Sequence, residues 1–174
     1  MPIGERVADV TDGLSSGSVS QASWEQLAEL YRAEQPGMVR LATLLVRDRA
    51  VAEELVQEAF VRLHPKLDTV AQPGAYLRTI VVNLCRGHGR RQATAAAHPP
   101  HQPGAADPPV LPGDLSPVWL ALGDLPERQR HALVLRFYLD LPDDQIAELL
   151  DARPGTVRSL ISRGLAALKE VVEP

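Results

Sequence analysis

The sequence predicts an all-α protein with two small helical domains, and three patterns lead to that prediction. Apolar residues recur at intervals of three and four along most of the chain, which is the spacing of one helix face. No segment shows a convincing strand pattern. Residues 93–117 interrupt the helical pattern with a run rich in Pro, Ala, Gly and His, which predicts a semi-extended linker between the domains.

The first helical domain is expected over residues 22–92, after a flexible tail at residues 1–21 that is rich in Gly and Ser. Ser23 is expected to cap a first helix, and a second helix is expected to begin after Pro36-Gly37. The inward faces of these two helices contain Leu27, Leu30, Tyr31, Met38, Leu41, Ala42 and Leu45.

Two further helices complete the first domain. One runs over residues 49–63 and is ended by Pro65, which follows it. The other starts after Gln72-Pro73-Gly74. The residues expected in their buried faces are Ala52, Leu55, Val56, Ala59, Phe60 and Leu63 for the third helix, and Leu77, Ile80, Val81 and Leu84 for the fourth. Cys85 lies beside the second of these faces, so it is interpreted as a small buried filler, with a redox sensor as the alternative.

The second helical domain is expected over residues 118–174, and it contains the most informative pattern in the chain. Two short amphipathic segments, residues 143–150 and a segment that begins at Pro154, flank a break that only a tight helical corner can bridge. This spacing predicts a helix-turn-helix. The inner half of its second helix contains Val157, Leu160, Ile161, Gly164, Leu165 and Leu168, and the outer half contains Arg158, Ser159, Ser162 and Arg163. A small, basic outer face of this kind fits the DNA major groove.

The distribution of charge also favours a nucleic-acid partner, although the net charge of the whole chain is −4. Residues 76–92 contain four arginines and no acid, and residues 152–169 contain three arginines, one lysine and no acid. The rest of the chain therefore carries an excess of negative charge. Two basic surfaces on an acidic protein bind phosphates locally and limit indiscriminate adhesion.

Several classes of protein are disfavoured. A single cysteine cannot form an internal disulfide, the first residues do not have the pattern of a signal peptide, and no apolar run approaches the roughly 20 residues of a membrane span. A cytoplasmic protein without membrane insertion is therefore expected. The chain has no Gly-rich phosphate loop and no nucleophile elbow, so neither an enzyme nor a small-molecule substrate is expected. His98 and His101 lack a third ligand within reach, so no metal and no cofactor is expected.

Four blocks of sequence, taken together, resemble the extracytoplasmic-function sigma factors of bacterial RNA polymerase, within the sigma-70 superfamily. The blocks lie at residues 48–60, 75–84 and 125–130 and at the helical corner, and they follow the order of that family. The resemblance covers about residues 24–169. It implies a two-lobed, all-helical initiation factor whose first lobe reads and opens the minus-10 promoter element and whose second lobe reads the minus-35 element. It also implies RNA polymerase core, promoter DNA and an anti-sigma factor as partners.

The resemblance assigns three sets of site residues. The minus-35 contacts are Arg153, Thr156, Arg158, Ser159, Ser162 and Arg163; the minus-10 contacts are Arg78, Asn83, Arg86, Arg90 and Arg91; and the polymerase contacts are Glu54, Gln57 and Glu58. From the residues alone, the acidic face of the third helix is also readable as solvated surface, the arginines of the fourth helix as cations favoured by the helix dipole, and the corner as a plain helical hairpin with a charged face.

The sequence departs from the family pattern at several positions. Gly87 and Gly89 stand where the family has better helix formers, so the end of the fourth helix is expected to fray. Arg153 cannot act as an N-cap, so Asp151 is expected to take that role. Leu160 stands where the family often has a cation, and an aromatic residue is missing near His64.

Two other functions stay open at this stage. A free-standing helix-turn-helix regulator would bind duplex DNA tightly without polymerase. A helical adaptor would bind only protein, with its basic faces exposed to solvent. Co-purification with core polymerase separates the sigma-factor interpretation from both.

Overall fold

The computed structural model describes residues 21–95 and 116–172, and the side chains of residues 23–94 and 118–170. Residues 1–20 of the predicted tail, most of the predicted linker, and His98 and His101 lie outside the described residues, and Gln21, the last residue of the predicted tail, begins a helix. All elements of the described part are helical, which confirms the predicted all-α class. The first lobe contains helices α1 (Gln21–Val46), α2 (Arg49–Leu63) and α3 (Pro73–Ala95). The second lobe contains α4 (Ser116–Asp124), α5 (Glu127–Leu133), α6 (Asp143–Leu150) and α7 (Pro154–Val172).

Helix α1 differs from the sequence-based expectation, because it is continuous through Pro36-Gly37. The expected break into two helices is therefore wrong, and Ser23 lies inside the helix rather than at its cap. Proline usually breaks a helix because it lacks an N–H donor and clashes with the preceding turn. Here the following turns bury Met38, Leu41 and Leu45 almost completely, and tertiary packing of this kind overrides local propensity.

The first lobe is a three-helix bundle in which each helix contacts the other two. The predicted inward face of α2 is confirmed at every position, since its buried residues are Ala52, Leu55, Val56, Ala59, Phe60 and Leu63. Asp48 caps this helix by accepting a hydrogen bond from the Val51 N–H at 3.1 Å. A short 3₁₀ turn, His64–Lys66, follows α2, and α3 then buries Leu77, Val81 and Leu84.

In the second lobe, α7 packs against α4, α5 and α6. Helix α5 continues into a π-helical turn, Val134–Tyr138, before the chain reaches α6. Val157 of α7 is fully buried, and Leu160 and Ile161 are half-buried beside it. Gly164 lies so close to α5 that a Cβ added to it would be 2.8 Å from Cδ1 of Leu133. This close approach fixes which side of α7 faces solvent.

The two lobes contact each other, with α1 against α5 and the π-helical turn, and α3 against α6. The buried residues of both lobes form one continuous hydrophobic core. His131 of α5 lies in this contact with only 2% of its surface exposed, and its Nε2 is 3.2 Å from the Leu45 carbonyl oxygen.

His131 is neutral near pH 7. Burial is the largest cause that lowers the pKa of His131 to about 4; the positive charges of Arg130 and Arg86 act in the same direction, and the hydrogen bond to the Leu45 carbonyl acts against them. The Glu127 carboxylate lies 3.8 Å from Nε2 of His131, but a neutral ring forms no ion pair with it. The neutral ring donates its N–H to the Leu45 carbonyl.

We predict that His131 makes the fold acid-sensitive. Between about pH 6.5 and pH 4 the unfolded chain binds a proton at this residue and the folded chain does not, so stability falls as the pH falls through that window. The expected loss is about 3 kcal/mol, because each pKa unit corresponds to about 1.4 kcal/mol. Denaturant unfolding at a series of pH values measures it. The His131→Gln variant keeps an N–H donor and should lack this component; identical pH profiles for the two proteins would contradict the prediction.

We also predict that Gly164→Ala destabilises the second lobe. The added methyl group collides with the buried Leu133 side chain, and overpacking of this kind costs roughly 1–3 kcal/mol. Part of that cost is offset by the better helix propensity of alanine, so a net loss of about 1–2 kcal/mol is expected in thermal unfolding. Gly155→Ala in the same helix is the control, because no atom lies within 4 Å of its added Cβ. A Gly164→Ala protein as stable as the control would show that α7 does not pack as described.

Candidate nucleic-acid interface

The corner between α6 and α7 is closed by main-chain hydrogen bonds. The N–H of Ala152 donates to the Ala147 carbonyl at 2.9 Å, and the N–H of Asp151 donates to the Glu148 carbonyl at 3.3 Å. These two bonds form a Schellman motif. Asp151 adopts the left-handed conformation that the motif requires, with φ of 48°, where glycine is more usual. Asp151 therefore ends α6, which corrects the expectation that it caps α7.

The outer face of α7 is open to solvent, as predicted. Its six candidate minus-35 residues are all exposed: Arg153, Thr156, Arg158, Ser159, Ser162 and Arg163. The Ser159 hydroxyl donates to the Gly155 carbonyl at 3.1 Å, which fixes its orientation. Nε of Arg158 lies 3.9 Å from Asp143, and the side chain is 70% exposed. An exposed pair of this kind is weak, so Arg158 remains available to a base edge.

The candidate minus-10 residues on α3 are not equivalent. Asn83, Arg90 and Arg91 are exposed, whereas Arg78 and Arg86 are half-buried. The Nε of Arg78 is buried and has no hydrogen-bond partner among the described residues. A charged donor left unpaired in this way is costly.

Arg86 points toward the second lobe. It donates to the carbonyl of Leu149 and, through Nη2 at 3.0 Å, to the carbonyl of Leu150. These carbonyls lie at the end of α6, where helix carbonyls lack a partner within the helix. Burial, then repulsion from Arg90, lowers the pKa of Arg86, but a guanidinium remains charged at any physiological pH. The structure therefore separates Arg86 from the exposed members of its predicted set.

The end of α3 is helical through Ala95, which differs from the expectation that it frays after Gly87 and Gly89. Two side-chain contacts support this segment. The Gln92 amide lies 3.0 Å from the Nε2 of His88, and the Thr94 hydroxyl donates to the Arg90 carbonyl at 3.0 Å. Arg90 and Arg91 are thereby held on a regular helix.

The candidate polymerase contacts lie together on the solvent side of α2. Glu54, Gln57 and Glu58 are all exposed, opposite the buried stripe of the helix. Glu58 accepts a hydrogen bond from Arg62 at 2.6 Å, one turn further along. This acidic face matches a basic partner surface in charge.

Cys85, the candidate redox residue, is buried. Burial raises the pKa of the Cys85 thiol to about 12, so it is a protonated filler of the core and a poor redox sensor. Among residues 21–95 and 116–172, no three His, Cys, Asp or Glu side chains are grouped so as to hold a metal ion. In the same residues, no helix is both long and apolar enough to cross a membrane.

Sequence reasoning missed the residues that join the lobes, namely Arg47, Glu127, Arg130 and His131. Their partners are distant in sequence, so no local pattern reveals them. One signal was available: Gly89 weakens α3 at a position where no turn requires glycine. That signal pointed to fraying and did not indicate a close approach by another chain segment.

Comparison with known proteins identifies the family to which both lobes are similar. The family model for sigma-70 region 2 matches residues 30–94, and the model for sigma-70 region 4 matches residues 115–168. An ECF RNA polymerase sigma factor, SigE of Mycolicibacterium smegmatis, is 32% identical over 97% of this chain and 67% of its own length. An RNA polymerase sigma-E factor of Streptomyces avermitilis is 29% identical over 85% of this chain and 86% of its own.

Solved structures share the fold. The sigma factor RpoE of Bartonella quintana, in complex with the anti-sigma factor NepR, superposes with a TM-score of 0.62 over 86% of this chain and 98% of its own, at 23% identity. The extracytoplasmic function sigma factor SigJ of Mycobacterium tuberculosis gives 0.60 over 82% of this chain and 53% of its own, at 26% identity. The chain therefore belongs to the extracytoplasmic-function group of the sigma-70 family, the RNA polymerase sigma factors that direct promoter recognition and transcription initiation.

Proposed function

We propose that each lobe reads one promoter element, the first lobe the minus-10 element and the second lobe the minus-35 element. The observation that carries this proposal is the presence of one basic face on each lobe, on α3 and on α7, while the rest of the chain is acidic in balance. Phosphate contacts from such faces supply affinity and register, and base contacts supply specificity.

In the second lobe, α7 would enter the major groove with its outer face. Arg158 is the main candidate for base readout, because its guanidinium is exposed and one bidentate contact with guanine contributes roughly 1–3 kcal/mol of discrimination. Ser159, Ser162 and Arg163 flank it on the same face. Arg153 and Thr156 lie at the start of α7, where the helix dipole and free N–H groups favour a phosphate.

In the first lobe, α3 would bind the strand that is opened at the minus-10 element. Opening requires cations that hold the phosphates and a polar group that holds an unstacked base. Arg78, Arg86, Arg90 and Arg91 would provide the cations. Asn83 is exposed on the same helix and offers both a donor and an acceptor to a flipped base edge.

The acidic face of α2 is the proposed contact with polymerase core. Glu54, Gln57 and Glu58 are exposed, and they lie on α2 rather than on either of the helices that carry the basic faces. A basic surface on the polymerase would attract this face and orient the subunit. Polymerase would perform the chemistry, so we propose that this chain acts as a non-enzymatic subunit, without a cofactor, in the cytoplasm where the template lies.

An anti-sigma factor is the proposed regulator. The Bartonella quintana sigma factor that shares this fold is described in complex with one. In this chain, an apolar groove of about 320 Å³ lies between Leu44 of the first lobe and α4, α5 and α7 of the second. Phe137 and Leu165 are partly exposed at this groove. A partner that covers it would contact both lobes at once.

Run-off transcription with core polymerase and promoter fragments tests the assignment. Arg158→Ala should weaken binding to the upstream element by roughly 10-fold or more, because one base contact is lost. Asn83→Ala should leave closed-complex formation intact and reduce the yield of open complex, because the flipped base loses its partner. Arg49→Ala, which removes an exposed arginine paired with Glu53, is the control and should have no effect. Equal open-complex yields from all the proteins would count against these sites, and failure to bind core polymerase would favour the free-standing regulator or the adaptor.

A further inference from the structure

Each lobe has a helix end that is capped by an arginine of the other lobe. Nε of Arg130, in the second lobe, donates to the Leu45 carbonyl in the last turn of α1 at 3.2 Å. Nη2 of Arg86, in the first lobe, donates to the Leu150 carbonyl at the end of α6 at 3.0 Å. Carbonyls in a last turn carry partial negative charge and lack partners within the helix, so a cation stabilises them. These contacts are reciprocal, and they exist only while the lobes touch.

A third arginine binds an aromatic ring across the same contact. The guanidinium carbon of Arg47 lies 3.9 Å from the centroid of the Trp119 ring, and Arg47 also donates to the Trp119 carbonyl. Gly123 provides the space that this guanidinium occupies, since a Cβ added there would lie 2.3 Å from its Nη2. Arg47, Arg86 and Arg130 are referred to below as the clasp.

Gly89 provides a matching space in the first lobe. A Cβ added to Gly89 would lie 2.2 Å from Oε1 of Glu127, so the carboxylate of the second lobe lies directly against the α3 backbone. Glycine inside a helix weakens it relative to alanine. At Gly89, and at Gly123 in α4, a charged side chain of the opposite lobe occupies the space that a Cβ would take. Because two glycines leave space for side chains of the opposite lobe, the sequence itself favours the arrangement in which the lobes touch.

We propose that the clasp holds the free chain in a self-masked state, in which Arg86 is withheld from DNA until the lobes separate. This inference rests on the proposed function, because Arg86 belongs to the proposed minus-10 face. The two hydrogen bonds to carbonyls of α6 hold the half-buried guanidinium of Arg86 against the second lobe, so a phosphate contact through Arg86 competes with the clasp. Asn83, Arg90 and Arg91 stay exposed, so the masked chain retains weak binding. A partner that binds the separated lobes more tightly shifts the chain toward the open state.

Arg47→Ala tests this proposal in the full chain, because Arg47 lies outside the proposed DNA-binding faces. Arg40→Ala is the matched control: it removes an exposed arginine of α1, the helix that ends directly before Arg47. Gly123→Ala is the second variant, since the added methyl group displaces Arg47 from Trp119 and removes no charge. Its control is Gly37→Ala, where no atom lies within 4 Å of the added Cβ. Thermal unfolding establishes that each variant is folded.

Two measurements are made on each protein. Energy transfer between dyes on Gln26→Cys and Ala166→Cys reports the separation of the lobes; these positions are exposed, whereas Cys85 is buried and escapes labelling. Binding to a promoter duplex in the absence of polymerase reports the masking. Arg47→Ala and Gly123→Ala should lower the transfer efficiency and tighten DNA binding by on the order of fivefold, and the two controls should match the unaltered chain.

The outcomes separate the two proposals. Folded variants whose lobe separation is unchanged would overturn the clasp, and separated lobes with unchanged DNA affinity would overturn the masking. In the second case the proposed function stands if Arg158→Ala still weakens promoter binding. No binding to promoter DNA by any of these proteins, even with polymerase present, would overturn the proposed function and the masking together.

Discussion

The packing of α7 on α5 is the interaction on which the DNA-binding geometry of this protein depends. Val157 is fully buried, and Gly164 allows the helix backbone to approach Leu133 within a distance that no larger residue permits. With the inner side of α7 fixed in this way, its arginines and serines necessarily face solvent. The left-handed turn at Asp151 then fixes the direction in which α7 leaves α6. Core packing alone thus exposes the face of α7 that is proposed to contact DNA.

The separation of basic faces from acidic ones is the basis of the proposed selective binding of DNA. The two basic faces lie on different lobes, and the acidic face lies on a third helix, α2. A chain with net charge of −4 is not attracted strongly to nucleic acid as a whole, so binding depends on the local faces being presented together. Under the proposed masking, the contact between the lobes determines how much of the α3 face is presented to DNA.

The sequence was sufficient where structure is determined by local periodicity. The buried stripe of α2 was predicted at every position, and the helix-turn-helix and the exposed face of α7 followed from the spacing of Val157, Ile161 and Arg158. Prediction failed where distant contacts decide the outcome. Pro36 does not break α1, because burial of the following turns outweighs the lost hydrogen bond. The contacts of Arg86 with the second lobe were not predicted, because its hydrogen-bond acceptors lie more than sixty residues further along the chain.

The proposed function requires both lobes to bind one promoter while they are attached to polymerase. Footprinting of a promoter fragment with core polymerase, with and without this chain, tests that requirement most directly. The chain should create two separate protected stretches, one at each promoter element, that polymerase core alone does not give. A single added stretch, or a footprint indifferent to the chain, would contradict it.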